Sequence, residues 1–352
     1  MTSITRRDVL GGAAAVALSG AAKPAHAQSQ PGFYRFKLGD IEVISISDGV
    51  RRGKLAASPS RSASLEQFQD ALAADGLPRD EIATSFNTVA VKNGNRLFVI
   101  DTGNGANTLA AGTGQAAANL KAAGIDPKDV EAVILSHFHG DHIGGLITTE
   151  KAPAFPKAEV RVPLVEFNYW MDDANMNAAP EGSNLRNGHN NVRRVFGAIP
   201  GKFVSNFEQN QEVAPGITAI GTPGHTPGHT SFRISSGNAS LIVQADVVSG
   251  IGSVFVRHPD WFAGGDMDGP TAVATRRKLY DMLVADRLLT TAYHLPVPGV
   301  GHVESAAAGN LLFCHHALQF RGRVARFPGR VRILVVRFPA FARHDDGPRR
   351  AM

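Results

Sequence analysis

Short apolar, β-branched runs broken by glycine and asparagine turns recur along the chain, and they predict strands. Residues 34–38 and 41–47 flank Gly39-Asp40, a hairpin signal. Residues 88–92 and 97–100 form a second pair around Asn93-Gly94-Asn95, closed by Asp101-Thr102-Gly103. The run Ala132-Val133-Ile134-Leu135 is continuous and predicts a buried strand; 159–162, 217–221, 231–234, 240–245 and 288–292 read as further strands. Helical patterns cover 64–74, 116–123 (stopped by Gly124), 164–171, 193–199 and 270–286, the last with Arg276, Arg277 and Lys278 expected to face outward. Residues 172–192 are rich in Asn, Asp, Gly and Pro and predict a long polar loop over a site. Strands followed by helices, twice over, predict an α+β fold, two sheets flanked by helices in an αββα four-layer sandwich.

The densest chemistry follows the strand at 132–135. His137-Phe138-His139-Gly140-Asp141-His142 puts three imidazoles and a carboxylate into six residues, with Gly144 and Gly145 behind them. In an extended loop His137 and His139 point to one side, and Asp141 and His142 face a neighbouring point. That spacing suits two adjacent cations better than one, and imidazole with carboxylate is a donor set for zinc and similar metals. A second histidine motif, Gly224-His225-Thr226-Pro227-Gly228-His229-Thr230, precedes the strand at 231–234. Asp246 ends the strand at 240–245, and His294 stands just past the strand at 288–292. His229 and His302 adjoin these motifs and are expected to support them, as ligating imidazoles need outer partners. Asp101 is expected to bond loop amides nearby. Phe167 is expected in the core, and Trp170 is left between core and pocket.

Composition narrows the reading. The chain has 352 residues, 43% hydrophobic and 19% charged, ordinary for a globular protein. The net charge of +5 is carried at the ends: Arg6, Arg7 and Lys23 against Asp8, and nine arginines beyond residue 304 against Asp345 and Asp346. The body, 28–304, is mildly acidic, so the surplus does not point to nucleic acid. No stretch is long and apolar enough for stable membrane insertion. Cys314 is the lone cysteine, which rules out an internal disulfide and thiolate metal sites in the body.

With these residues in place the chain resembles the metallo-β-lactamase-fold hydrolases, from about residue 34 to residue 302. The family motif His-x-His-x-Asp-His falls on His137, His139, Asp141 and His142, its next histidine on His225, its bridging aspartate on Asp246 and its last histidine on His294. The resemblance implies that His137, His139 and His225 hold one divalent metal, that Asp141, His142 and His294 hold a second, and that Asp246 bridges them. Zinc is the expected ion, with manganese, cobalt or iron as alternatives. It implies a metal-bridging hydroxide that cleaves an ester, lactone or phosphotriester, with Asp141 a candidate proton shuttle. Within that superfamily the likeness is nearest to exported hydrolases of the methyl parathion hydrolase type, whose relatives include lactonases. It rests on residues 118–124, 224–230 and 293–303. The aromatic pocket of the parathion-type enzymes is matched only at Trp170, and the tyrosine that small lactonases place after the bridging aspartate is replaced by Val247-Val248-Ser249-Gly250. An iron-dependent redox or dioxygenase member, and a non-catalytic metal-binding relative, are the competing readings. The expected partner is a small-molecule substrate, with a homodimer as one option for assembly.

The two ends read differently. Residues 1–27 carry Arg6-Arg7, an Ala/Gly-rich run and Ala25-His26-Ala27, a signal peptide resembling the twin-arginine type, so the hydrolase domain at 28–304 is expected in the periplasm. Residues 305–352 form an Arg-rich tail where the family likeness stops; disorder or translation in a shifted frame would each explain it.

Overall fold

The computed structural model describes residues 32–305 and the strand at 311–315. The segment at 1–27 expected to be a signal peptide and most of the Arg-rich tail lie outside the described residues. The first half runs β1 (Phe33–Leu38), β2 (Ile41–Lys54), α1 (Leu65–Ala74), β3 (Glu81–Asn93), β4 (Arg96–Ile100), α2 (Ala116–Ala122), β5 (Ala132–Ile134), α3 (Gly140–Ile143), β6 (Glu159–Pro163), α4 (Leu164–Met171), α5 (Asp173–Ala178), α6 (Asn184–Phe196) and β7 (Val204–Phe207). The second runs β8 (Glu212–Ala214), β9 (Ile217–Gly221), β10 (Thr230–Ser236), β11 (Ala239–Val243), α7 (Gly252–Arg257), α8 (Gly269–Ala285), β12 (Leu289–Thr291), β13 (Val300–Ser305) and β14 (Leu311–His315).

The strands form two seven-stranded sheets, ordered β1 to β7 and β14 to β8. Strand alternation explains the layers. In β4, Phe98 and Ile100 face the second sheet, while Val99 faces the opposite way. In β5, Ala132 and Ile134 face inward to the same inter-sheet core, and Val133 faces the helical side. Both faces of these strands are therefore buried, which is why they read as unbroken apolar runs. The inter-sheet core joins Val89, Phe98 and Ile134 to Phe232, Ile234 and Leu241. One outer layer packs Leu120, Trp170, Val192 and Phe196 on the first sheet, and the other packs Leu279, Tyr280 and Leu283 of α8 on the second. The αββα four-layer sandwich expected from the sequence is the observed architecture.

Three local expectations are corrected. Residues 172–192 are largely helical: Asp172 caps α5 through Ala174 and Asn175 amides, and Ser183 caps α6 through the Arg186 amide. The asparagines that suggested a loop sit on α5 and α6, and the buried stripe of α6 is His189, Val192, Val195 and Phe196. Arg276 does not face outward; it is fully buried. The hairpin β2–β3 extends well beyond the predicted strands, to Lys54 paired with Glu81, because its ladder continues into exposed polar positions that carry no alternation. The second sheet also continues past residue 304, with β14 antiparallel to β13.

Candidate metal centre

Strand ends bring the polar side chains together. His137 and His139 follow β5, and Asp141 and His142 lie in the single turn α3. His225 sits in the turn between β9 and β10, Asp246 follows β11, and His294 follows β12. Two groups of convergent ligand atoms result: His137, His139 and His225; and Asp141, His142, Asp246 and His294. Within each group the atoms all lie within 4.8 Å of one another. His139 Nδ1 is 3.2 Å from His137 Nε2 and 2.9 Å from His225 Nε2. In the second group, Asp141 Oδ2 is 3.6 Å from both His142 Nε2 and His294 Nε2. Asp246 lies between the groups, its Oδ2 being 3.2 Å from His225 Nε2 and 3.1 Å from His294 Nε2.

Donors about 2.0–2.2 Å from a tetrahedral zinc ion stand about 3.3–3.6 Å apart, close to these separations. A second observation supports the fit. His142 Nε2 and Asp246 Oδ1 are buried, 3.3 Å apart, and have no hydrogen-bond partner. Buried polar atoms are rarely left orphaned, and these two point into the cluster. Charge says the same. Burial works to raise the Asp246 carboxyl, but His294 and His142 hold it well below the usual range. Burial pulls His225 down, yet Asp246 and Asp266 outweigh it and hold its pKa up at about 9. His142 is likewise held well above its ordinary value by Asp246, Asp141 and Asp101 against burial. The carboxylates draw positive charge into a dry site, where a divalent cation satisfies several donors at once. On the other side, burial first and His225 next hold His139 down to about 3, which keeps it neutral, as a ligand must be.

The rings are held from behind. Asp101 Oδ1 accepts from the Ser136 amide at 2.8 Å, and its Oδ2 lies 2.7 Å from Ser136 Oγ and 2.8 Å from His142 Nδ1. Ser136 Oγ is in turn 3.0 Å from His137 Nδ1. Asp266 Oδ1 is 2.9 Å from His225 Nδ1, and His294 Nδ1 is 2.9 Å from Ser85 O. His137, His142, His225 and His294 thus each use Nδ1 on the protein and turn Nε2 inward. Tyr293 packs on His142 with its ring tilted by 31°, centroids 3.8 Å apart, and its hydroxyl donates to Asp141 O.

Other expected site residues divide. His229 is drawn in: its Nε2 accepts from Asp246 N–H at 3.0 Å, and its Nδ1 lies 3.0 Å from Thr222 O. His302 is not: its Nδ1 is 3.1 Å from Leu288 O, at the end of β12 away from His294. Trp170 is 2% exposed and packs edge-on against His139, ring centroids 6.1 Å apart. Two buried carboxylates went unread in the sequence. Asp266 carries no pattern there, but Glu166 stands out as one acidic residue in the otherwise apolar Pro163-Leu164-Val165-Glu166-Phe167.

This sandwich, with ligand clusters at its strand ends, is the metallo-β-lactamase fold. Residues 85–291 match the sequence model of the Metallo-beta-lactamase superfamily, and the chain belongs to that superfamily. It is 30% identical over 129 residues to an N-acyl homoserine lactonase of Bacillus sp and 32% identical over 129 residues to the N-acyl homoserine lactonase AttM of Agrobacterium fabrum (strain C58 / ATCC 33970). Those matches span 36% and 35% of this chain, and 42% and 43% of the relatives' own length. Among solved structures it is similar to AidC, a dizinc quorum-quenching lactonase in complex with a product (TM-score 0.72, 27% identity, 82% of this chain and 98% of that one). It is also similar to the hydrolase AbOPH (TM-score 0.74, 25% identity, 83% of this chain and all of that one).

Proposed function

We propose that this protein is a binuclear metal-dependent hydrolase whose substrates are lactones and related esters. The observation that carries the reading is Asp246, a single carboxylate oxygen within 3.2 Å of ligand atoms from both histidine clusters. His137, His139 and His225 would hold one ion, Asp141, His142 and His294 the other, and Asp246 would span them. A pair of divalent ions there would supply Lewis acidity and bring a water's pKa toward about 7. The protein's part is to hold five rings and two carboxylates rigidly, keep water out behind them, and offer a proton carrier. Asp141 fits the last role: its side chain is 23% exposed where His142, Asp246 and His294 are nearly sealed. Beside the His225 turn lies an open cleft of about 550 Å³ lined by Arg61, Phe262, Met267, Asp268, Gly269 and Pro270, room for an acyl arm.

The lactonase relatives favour lactones over phosphotriesters. The same reading places the mature protein in the periplasm, on the strength of Arg6-Arg7 and Ala25-His26-Ala27. The test is to strip the protein, reload it with zinc, count ions, and assay N-acyl homoserine lactones, aryl esters and an aryl phosphotriester side by side. Two ions per chain with lactone turnover is the expected result. Two ions with no turnover of any substrate would favour the non-catalytic relative, and turnover confined to the phosphotriester would overturn the substrate class.

A further inference from the structure

Seven side chains form the two clusters, and Glu166 is not among them, yet it is bonded to both segments that carry the three-histidine cluster. It is fully buried on the first turn of α4. Its Oε1 accepts from Phe138 N–H at 3.0 Å and Trp170 Nε1–H at 2.7 Å. Its Oε2 accepts from Thr226 Oγ1–H and from Gly228 N–H, each at 2.8 Å. Phe138 stands between His137 and His139, and Thr226 follows His225. One carboxylate therefore links the two segments that supply the three-histidine cluster. The contact depends on a glycine: a Cβ on Gly228 would lie 2.2 Å from Glu166 N, so only glycine lets this turn meet α4.

The four bonds use the acceptor capacity of an ionised carboxylate, and an anion buried this deeply needs a counter-charge. Among the described residues no lysine or arginine pairs with Glu166. Burial pushes its pKa up, with the four donors working against that. A cation on the three imidazoles would bring a lasting positive charge beside it, since ligating imidazoles are themselves neutral.

We infer that Glu166 is the positioning residue of the three-histidine site: it sets the span between the His137–His139 segment and the His225 turn, and the cation bound there balances its charge. This rests on the metal-site reading above. The test compares wild type with Glu166→Gln, each stripped and then titrated with zinc or cobalt. The amide keeps the size, but one end now donates. With its oxygen left on Phe138 and Trp170, its NH2 faces Gly228 N–H, and a buried donor loses its partner. One of the two zinc affinities is expected to fall about 10–100-fold while the other holds. The cobalt absorption of the weakened site should change. The gap in Tm between loaded and stripped protein should narrow, because the variant has no carboxylate charge for the bound cation to balance. A side chain that only packs would lower both Tm values equally and leave the gap alone. Thr226→Val removes one donor to Oε2 and keeps the question open to measurement where Glu166→Gln does not fold; a smaller loss in the same direction is expected. Wild-type affinities and an unchanged gap in whichever variants fold would overturn the role of Glu166 while leaving the hydrolase reading intact. Wild-type protein that takes up fewer than two ions would overturn both.

Discussion

Asp101 Oδ2 and His142 Nδ1 lie 2.8 Å apart, both buried, and this contact turns His142 Nε2 toward Asp246. Asp101 has a left-handed backbone, φ 57°, a conformation that Asn also tolerates. Asp101→Asn therefore tests the carboxylate and not the turn. The amide cannot accept from the Ser136 amide, Ser136 Oγ–H and the His142 ring together. We expect metal affinity to fall about 10–100-fold, mainly at the cluster containing His142. Competition titration against a zinc chelator measures it, and an unchanged affinity would remove Asp101 from the orienting role.

His229 should make the fold acid-sensitive. Its Nε2 is an acceptor for Asp246 N–H, so the fold requires the neutral ring. Burial first, and His225 next, hold its pKa down to about 3. The unfolded chain binds this proton near 6.5 and the folded chain only near 3, so between those values the unfolded state carries more protons. The contribution is fully present above pH 6.5 and is lost as pH falls toward 3, at about 1.4 kcal/mol per pH unit in that window. Urea midpoints of metal-loaded protein across pH 4.5–7 should show the slope, and His229→Gln should flatten it. Equal slopes in the two proteins would show that another group titrates.

Arg276 was expected on the outer face of α8, and its burial gives a contrast with its neighbour. Its Nε donates to Val247 O at 2.7 Å, its Nη1 to Pro259 O at 2.9 Å and Trp261 O at 2.8 Å, and its Nη2 lies 3.3 Å from Asp266 Oδ2. Val247 follows Asp246, and Asp266 holds His225, so one guanidinium braces two segments of the centre. Arg276→Met strands those carbonyls and should cost about 3 kcal/mol or more. Arg277 is half-exposed and pairs with Asp260; Arg277→Met should cost under about 1 kcal/mol. Urea unfolding of both variants decides it, and similar losses would mean that Arg276 is no brace.

What the sequence made legible follows from what the physics writes locally. The buried strands β4, β5 and β11 are unbroken apolar runs because both faces are covered, and the ligand candidates stand at their ends, where the chain leaves the sheet. Arg276 was misread because helical spacing shows which residues share a face but not that a loop at 259–266 folds over that face. Residues 172–192 were misread because their caps, Asp172 and Ser183, look like turn residues until the helices behind them are seen. Glu166 and Asp266 were missed since a lone carboxylate acquires its meaning from donors 28 to 62 positions away. Trp170, left open between core and pocket by the sequence, is buried with its ring centroid 6.1 Å from that of His139.

The strongest demand falls on Asp246. Without it the two clusters share no atom, and His225 and His294 each lose a carboxylate oxygen within 3.2 Å. Asp246→Asn keeps the volume and the backbone amide that donates to His229, so the strand end should hold. Its amide offers one neutral oxygen where a carboxylate offered two charged ones, and the repulsion between two dications is no longer offset. Loss of an outer partner already costs about 10–100-fold in affinity, so loss of this oxygen should cost at least about 100-fold at the weaker site and leave at most one ion after dialysis. Lactone hydrolysis should fall by at least the same factor, while circular dichroism stays that of wild type. A variant that retains two ions and full turnover would show that the clusters work separately, and that the carboxylate between them is not what joins them.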